Sequence, residues 1–311
     1  MEIKTSIRKK IIMKKLVILA IVILAVQLGY SQNLKPYILG IQTTESVAAI
    51  KAKVKTNLAK NAIKVVGEYQ PANDQNRWII VFTSSELESA VKSIGGLTGF
   101  AATLRVAITQ ENGQTLVSYT NPNYWGNAYF QDNFSKVSSQ YSALNSHLEN
   151  AMKQSGTFKG SSFGSDKGLS AKELQGYHYM MGMPYFDDPV ELEDFDSYSK
   201  AIAKIDASVK VGTPNLKMVY KVSIPGKELT LYGFALAGEN GESQFMPIID
   251  GDSPKHTAFL PYEVLVKGDQ VMILHGRYRI ALAFPDLTMG TFSKIMSTPG
   301  AIEDLLKQLV E

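Results

Sequence analysis

Cysteine is absent from all 311 residues, which excludes disulfides, thiolate nucleophiles, zinc sites built on Cys and a lipid-modified N-terminal Cys. P-loop, G-x-G-x-x-G and H-E-x-x-H patterns are also missing, so the common signatures of nucleotide, dinucleotide and zinc-protease chemistry are not available. No apolar run reaches the roughly 20 residues that a membrane helix needs. The longest, residues 16–28, has 13 positions and is interrupted by Gln27.

That run has the flanks of a secretory signal peptide. Met13-Lys14-Lys15 precedes it, and the small residues Gly29 and Ser31 follow around Tyr30. Such a charged, apolar and small-residue sequence is an export signal rather than an anchor. Cleavage is expected after Ser31, with Gln32 first in the mature chain and translation starting at Met1 or Met13. Removing residues 1–31 takes away six Lys/Arg and one acid, leaving 26 basic against 28 acidic side chains. The pI of 8.7 therefore belongs largely to the targeting segment, and a charge argument for nucleic acid fails. The expected location is the periplasm or the exterior, without lipid attachment and without a stable membrane span after cleavage.

The rest of the chain repeats itself. Tyr37-Ile38-Leu39-Gly40-Ile41 returns as Tyr179-Met180-Met181-Gly182-Met183, and Ile63-Lys64-Val65-Val66 as Leu216-Lys217-Met218-Val219. Further on, Asn127-Ala128-Tyr129-Phe130 matches Ala281-Leu282-Ala283-Phe284, and Phe134-Ser135-Lys136-Val137 matches Phe292-Ser293-Lys294-Ile295. The unit is too long for a solenoid. It predicts an α+β fold of two tandem copies, each an antiparallel-rich sheet packed by helices. The expected layout is signal peptide 1–31, first domain 32–154, linker 155–176 and second domain 177–311. The linker expectation rests on nine Gly or Ser among residues 155–170, a flexible composition.

Periodicity fills in the elements. Copy one should hold a strand at 37–42, a helix from Thr44-Glu45-Ser46, a strand from Ile63 and a central strand at 78–82. A helix at 86–94 follows, then a hairpin turning at Asn112-Gly113 and a last helix at 133–152. Copy two should hold a strand at 179–183, a helix at 197–209, strands at 216–223 and 229–236, a hairpin at 260–274 and a helix at 292–310. Phe134, Val137, Leu144, Leu148 and Met152, with Phe292, Ile295, Ile302, Leu306 and Val310, are the expected core faces of the two final helices.

Several local patterns resemble sites. Gly160-Ser161-Ser162-Phe163-Gly164 fits G-x-S-x-G, but a nucleophile elbow needs a strand before it and a helix after it. The Met-rich segment with His178 has soft-metal donors, yet its match to Ile38, Leu39 and Ile41 makes it a core strand. Asp187 to Asp196, six acids in ten residues, has no equivalent in copy one and reads as an acidic loop. Asp250-Gly251-Asp252 with His256 reads as a turn. No metal site, cofactor or catalytic residue is assigned. Asn121 to Phe130 is the most informative loop, since aromatics in a shaped loop bring contact area at low entropic cost. Tyr124, Trp125 and Tyr129, with His275, Arg277 and Tyr278 of the copy-two equivalent, are the candidate ligand-binding residues.

The element order, carried best by Ser46 to Gly67, Trp78 to Ser84 and Arg105 to Tyr119, resembles the domain of unknown function 302 family. The resemblance implies small bacterial α+β domains, sometimes in tandem, with no settled activity. Many members carry Leu-Pro-Cys at the start of the hairpin. Leu260-Pro261-Tyr262 keeps the Leu-Pro and lacks the Cys, so no thiol role carries over. The reading is an exported envelope protein, leaning non-enzymatic, that binds an unknown small ligand or an envelope partner. The alternatives are an enzyme whose site lies between the copies, using His256, His275 and nearby acids, and a structural envelope protein.

Overall fold

Strand β1 (Tyr37–Thr43) leads into helix α1 (Val47–Lys60), whose start is fixed by the Ser46 hydroxyl accepting from the Ala49 amide. Such a cap satisfies one of the donors a helix leaves free. Strand β2 (Ile63–Tyr69), strand β3 (Arg77–Ser84) and helix α2 (Ser85–Ile94) follow, the helix capped by Ser84 and carrying Glu86 and Glu88 in its first turn. Strands β4 (Leu104–Glu111) and β5 (Gln114–Thr120) form the expected hairpin, with Asn112 and Gly113 both at positive φ. That backbone matches the twist of paired strands, and Asn-Gly adopts it readily. Helices α3 (Pro122–Phe130) and α4 (Phe134–Ser155) and strand β6 (Phe158–Phe163) complete this half.

The second half begins with the short helix α5 (Ala171–Gln175). Strand β7 (Val190–Asp194), helix α6 (Tyr198–Val211) and strands β8 (Leu216–Ser223) and β9 (Leu229–Leu236) come next. Helix α7 (Glu242–Ile249), the hairpin β10 (Tyr262–Lys267) and β11 (Gln270–Ile273), and helices α8 (Gly276–Ala283), α9 (Met289–Phe292) and α10 (Thr298–Lys307) end the chain. This computed structural model describes residues 33–311, and residues 34–311 form one compact unit. The expected signal peptide lies outside the described residues. Among the described residues no helix is long and apolar enough to cross a membrane.

The fold is α+β, with two antiparallel sheets of matching order. The first runs β2-β3-β4-β5-β1-β6 and the second β8-β9-β10-β11-β7, so β6 is the only strand without a counterpart among the described residues. Four expectations need correction. Residues 179–183 are a turn: Gly182 has φ +81° and the Met183 amide donates to the Met180 carbonyl at 3.0 Å. The place of β1 is taken instead by β7, inside the acidic stretch expected to be a loop, which pairs with β11. Its Leu192 is buried while Glu191, Glu193 and Asp194 are exposed, a charged edge that discourages further strand pairing.

The Gly/Ser segment is also no free connector, because β6 within it pairs with β1. Finally, the long last helix expected at 292–310 is broken, with Pro299 in the first turn of α10. Proline lacks an amide hydrogen and clashes with the preceding turn, so it starts a helix and does not continue one. The core faces nonetheless hold: Val137, Leu144, Leu148, Met152, Ile295, Ile302, Leu306 and Val310 are all buried, with Phe134 and Phe292 packed partly exposed against them. Each large apolar side chain so buried contributes roughly 1.5–3 kcal/mol.

The halves meet along β2 and β8. At Gly67 a Cβ would lie 2.4 Å from the Val219 carbonyl oxygen, so only glycine permits that approach.

Candidate functional site

A polar cleft of about 630 Å³ opens where three segments converge: the end of β6 through Asp166, the loop after α7 from Asp250 to His256, and the segment after α8 from Phe284 to Thr288. Small-molecule sites usually measure some 300–1,000 Å³. Lys35, just before β1, also lines it.

Each wall has a local cause. Asp250 ends α7, and Gly251, Asp252, Ser253 and Pro254 are turn formers. The Asp250 carboxylate accepts from the His256 amide at 2.6 Å and pairs with the Arg77 guanidinium from β3, both side chains being buried. Arg77 also donates to the Thr257 hydroxyl at 2.9 Å and to Asp74 at 3.0 Å. The loop of the second half is thereby fixed to the sheet of the first. On the opposite wall, Asp286 accepts from the Ser165 hydroxyl at 3.1 Å and from the Asp166 amide. Gly164 precedes Ser165 at φ +96°, where a Cβ would fall 2.8 Å from the Tyr37 ring and 2.9 Å from Pro36.

His256 forms the floor. Its ring stacks on Phe284 with centroids 4.7 Å apart and lies 4.9 Å from the Tyr37 ring. Nδ1 is 3.1 Å from the Ala283 carbonyl; that oxygen only accepts, so Nδ1 carries the hydrogen and Nε2 is the basic nitrogen. Burial pushes its pKa down against the pull of Asp250, leaving a neutral imidazole at pH 7. Asp166, Asp250, Asp252 and Asp286 line the cleft against Lys35. Arg77 pairs with Asp250 and with Asp74 outside the cleft, and the Lys255 ammonium donates to the Asp250 and Gly251 carbonyls, so the four carboxylates still outnumber the neighbouring cations.

A second polar cluster is closed to solvent. Arg105 on β4 and Glu263 on β10 follow the first residues of corresponding strands and form an ion pair with both side chains buried. Burial works against the Arg105 charge, but the facing carboxylate of Glu263 raises its pKa on balance. The Tyr220 hydroxyl donates to Glu263 and lies 3.0 Å from the Thr103 hydroxyl. Arg279 lies over the Tyr262 ring at 4.5 Å and donates to the Phe259 and Pro261 carbonyls. The Arg105–Glu263 pair and the Thr103–Tyr220 contact join the two halves.

The aromatic residues expected on a surface loop are instead buried in helices. Tyr124, Trp125 and Tyr129 lie in α3, and Tyr278 lies in α8. Tyr129 stacks on Phe186 at 5.2 Å, and Phe186 lies 6.1 Å from Tyr278. The Tyr124 hydroxyl donates to the Leu282 carbonyl at 2.8 Å, and the Trp125 indole donates to the Pro36 carbonyl at 2.9 Å. Tyr124, Tyr129 and Tyr278 thus lie where α3 approaches α8, while Trp125 ties α3 to the residue before β1. Desolvation raises the pKa of all three tyrosines, as expected of neutral core phenols. His275 is half-buried and caps α8 by accepting from the Arg277 amide. Arg277 is exposed and borders a separate apolar groove.

Sequence reading singled out His256 and the Asp250-Gly251-Asp252 turn, but not their convergence with Ser165 and Asp286. Nor did it anticipate that the G-x-S-x-G segment would wall the same cleft; Ser162 belongs to strand β6, without the strand-turn-helix context of a nucleophile. Among the described residues, no three His, Asp or Glu side chains are grouped to hold a metal ion.

No family model and no curated protein matches the chain. Among solved structures it is similar to the crystal structure of uncharacterized conserved protein DUF302 from Bacillus stearothermophilus, at 12% identity and TM-score 0.34, over 38% of this chain and 96% of that one. The similarity is too slight to carry an assignment.

Proposed function

We propose that this is an exported, non-enzymatic binding protein, made of two diverged copies of one domain, that takes a small amine-bearing polar ligand in the cleft beside His256. The observation that carries this reading is the excess of carboxylates around a ligand-sized cavity. Asp250 and Asp286 are engaged in holding the walls. Asp166 and Asp252 are exposed at the rim, placed to meet an ammonium group. Phe163 and Phe284 offer apolar faces for the rest of the ligand, the usual division of a pocket into apolar lining and a few orienting polar groups.

The test is thermal stabilisation by a panel of small primary amines, with matched neutral alcohols and carboxylates as controls. Amines should raise the melting temperature, and Asp166→Asn with Asp252→Asn should remove that response while leaving the unliganded melting temperature unchanged. Stabilisation by carboxylates alone, or an amine response that survives both substitutions, overturns the reading. An enzymatic reading has one observation in its favour, the basic Nε2 of His256 at the cleft floor. It requires turnover that His256→Gln abolishes.

A further inference from the structure

A second cavity is apolar where the first is polar, although Phe284 and Leu287 border both. It is small, about 50 Å³, and lies between the turn at 179–183 and helices α8 and α9. Three of its lining side chains are methionines: Met180, Met183 and Met289. Tyr179 and Phe292 contribute rings, and Arg277 is the charged member of the lining.

We infer that Met180, Met183 and Met289 form a thioether site for a soft monovalent metal ion of the Cu(I) class. Two of the three donors are set by a β-turn. The Met183 amide donates to the Met180 carbonyl at 3.0 Å, and Gly182 at the third position has φ +81°, the backbone for which that turn selects glycine. The first and last residues of such a turn lie within about 7 Å of each other at Cα. Met289, the first residue of α9, supplies the third donor from across the cavity.

The donor set decides the ion. No carboxylate or imidazole lines the cavity, so hard cations and zinc lack their preferred ligands. Thioether sulfur selects Cu(I) among the biological metals. Size separates this from an organic ligand, since 50 Å³ is far below the roughly 300 Å³ at which small-molecule sites begin. Exposure points the same way. Met180 and Met289 are 45% and 50% exposed, whereas Met152, Met246 and Met272 are buried in the core. Methionine without a metal fills core gaps or lines adaptable apolar binding surfaces, and the second of these is the rival that competition with an apolar fluorophore tests. Arg277 opposes a cation, but its exposed charge is screened by solvent.

The test is anaerobic titration of the purified protein with Cu(I) against a chromophoric Cu(I) chelator, with Ag(I) as a second probe and Zn(II) as control. One equivalent of Cu(I) should bind with only sulfur scatterers beyond any exogenous ligand in the copper X-ray absorption spectrum. Each of Met180→Leu, Met183→Leu and Met289→Leu should weaken binding by about tenfold or more through loss of one thioether, and the triple variant should abolish it. Leucine roughly preserves volume at the exposed Met180 and Met289 and the half-buried Met183, and unchanged circular dichroism and melting temperature verify the fold. Failure to take up one equivalent, or uptake that survives the triple substitution, overturns the inference. So does binding of an apolar fluorophore in the groove that Cu(I) does not displace.

Discussion

Glu242 shows how one side chain connects pH to stability. It lies at the start of α7, almost wholly buried, and accepts from the Tyr69 hydroxyl at 2.8 Å, the Ala72 amide at 3.0 Å and the Leu236 amide at 3.2 Å. Burial raises its pKa to about 7 in spite of these donors. An acid whose folded pKa is raised binds its proton more tightly when folded. Its contribution is therefore fully favourable below about pH 4.5, decreases as pH rises towards 7, and is constant above that. The decrease is on the order of 3 kcal/mol for a shift of this size. Urea unfolding at pH 5 and pH 7.5 should show wild type losing more stability than Glu242→Gln over that interval. His256 acts with the opposite sign, since its depressed pKa costs stability as pH falls below about 6.5, so the comparison must be between variant and wild type.

Glu263 makes a different residue-level case. Removing one partner of a buried ion pair leaves the other charged and unpaired, typically costing about 3–5 kcal/mol, whereas replacing both by apolar groups is often close to neutral. Glu263→Ala should thus destabilise strongly by denaturant unfolding. Arg105→Met combined with Glu263→Leu should recover part of the loss, the remainder reflecting buried Arg279, which lies 3.9 Å from the same carboxylate, and additive losses would show that the pair is not the source.

Among the elements, the sheets and hairpins were legible because their determinants are local. Strands β8 and β9 have the bounds that their apolar runs predict, and the Asn112-Gly113 turn has the backbone its composition demands. Strand β7 was hidden because only Leu192 is buried, with Val190 packed partly exposed beside it among acids and next to Pro189, so the edge strand reads as charged loop. Strand β6 was hidden by Gly and Ser, whose composition gives no apolar alternation although β1 offers a free edge for it to pair with. The Met-rich segment misled for the opposite reason, since its residues are apolar but Gly182 and Pro184 stop it from extending. For the cleft, the individual turn and imidazole were visible, while their convergence with β6 depends on packing between halves that spacing along the chain does not encode. At the seam of β2 and β8, Gly67→Ala should force backbone apart because its Cβ would meet the Val219 carbonyl. Overpacking of this kind usually costs about 1–3 kcal/mol. Thermal unfolding of that variant should show a lowered melting temperature, and an unchanged one would mean that the two edges are not held in contact.

At the scale of the whole molecule, the matching strand orders predict two units that could unfold separately, and the contacts between them predict the reverse. Tyr69 with Glu242, Arg77 with Asp250, Arg105 with Glu263, and the Tyr124 hydroxyl with the Leu282 carbonyl all bridge the halves, all but Tyr69 from fully buried side chains. Unfolding one half alone would leave Arg105 or Glu263, and Arg77 or Asp250, without a partner in the half that remained. Those charges would be rehydrated, but the buried side chains at the seam, Tyr124 and Tyr129 among them, would be exposed with them, and each large apolar side chain returned to water costs roughly 1.5–3 kcal/mol against the roughly 5–15 kcal/mol by which a domain is stable. A half-folded state is accordingly poorly populated. Calorimetry should show one transition with the calorimetric enthalpy equal to the van't Hoff enthalpy. Two resolved transitions would mean that each half keeps its own fold when the seam opens. The same coupling places the cleft, whose walls come from both halves, among the parts that stay closed until the molecule unfolds as a unit. Ligands that stabilise the cleft should therefore shift that single transition as a whole, without separating it into two.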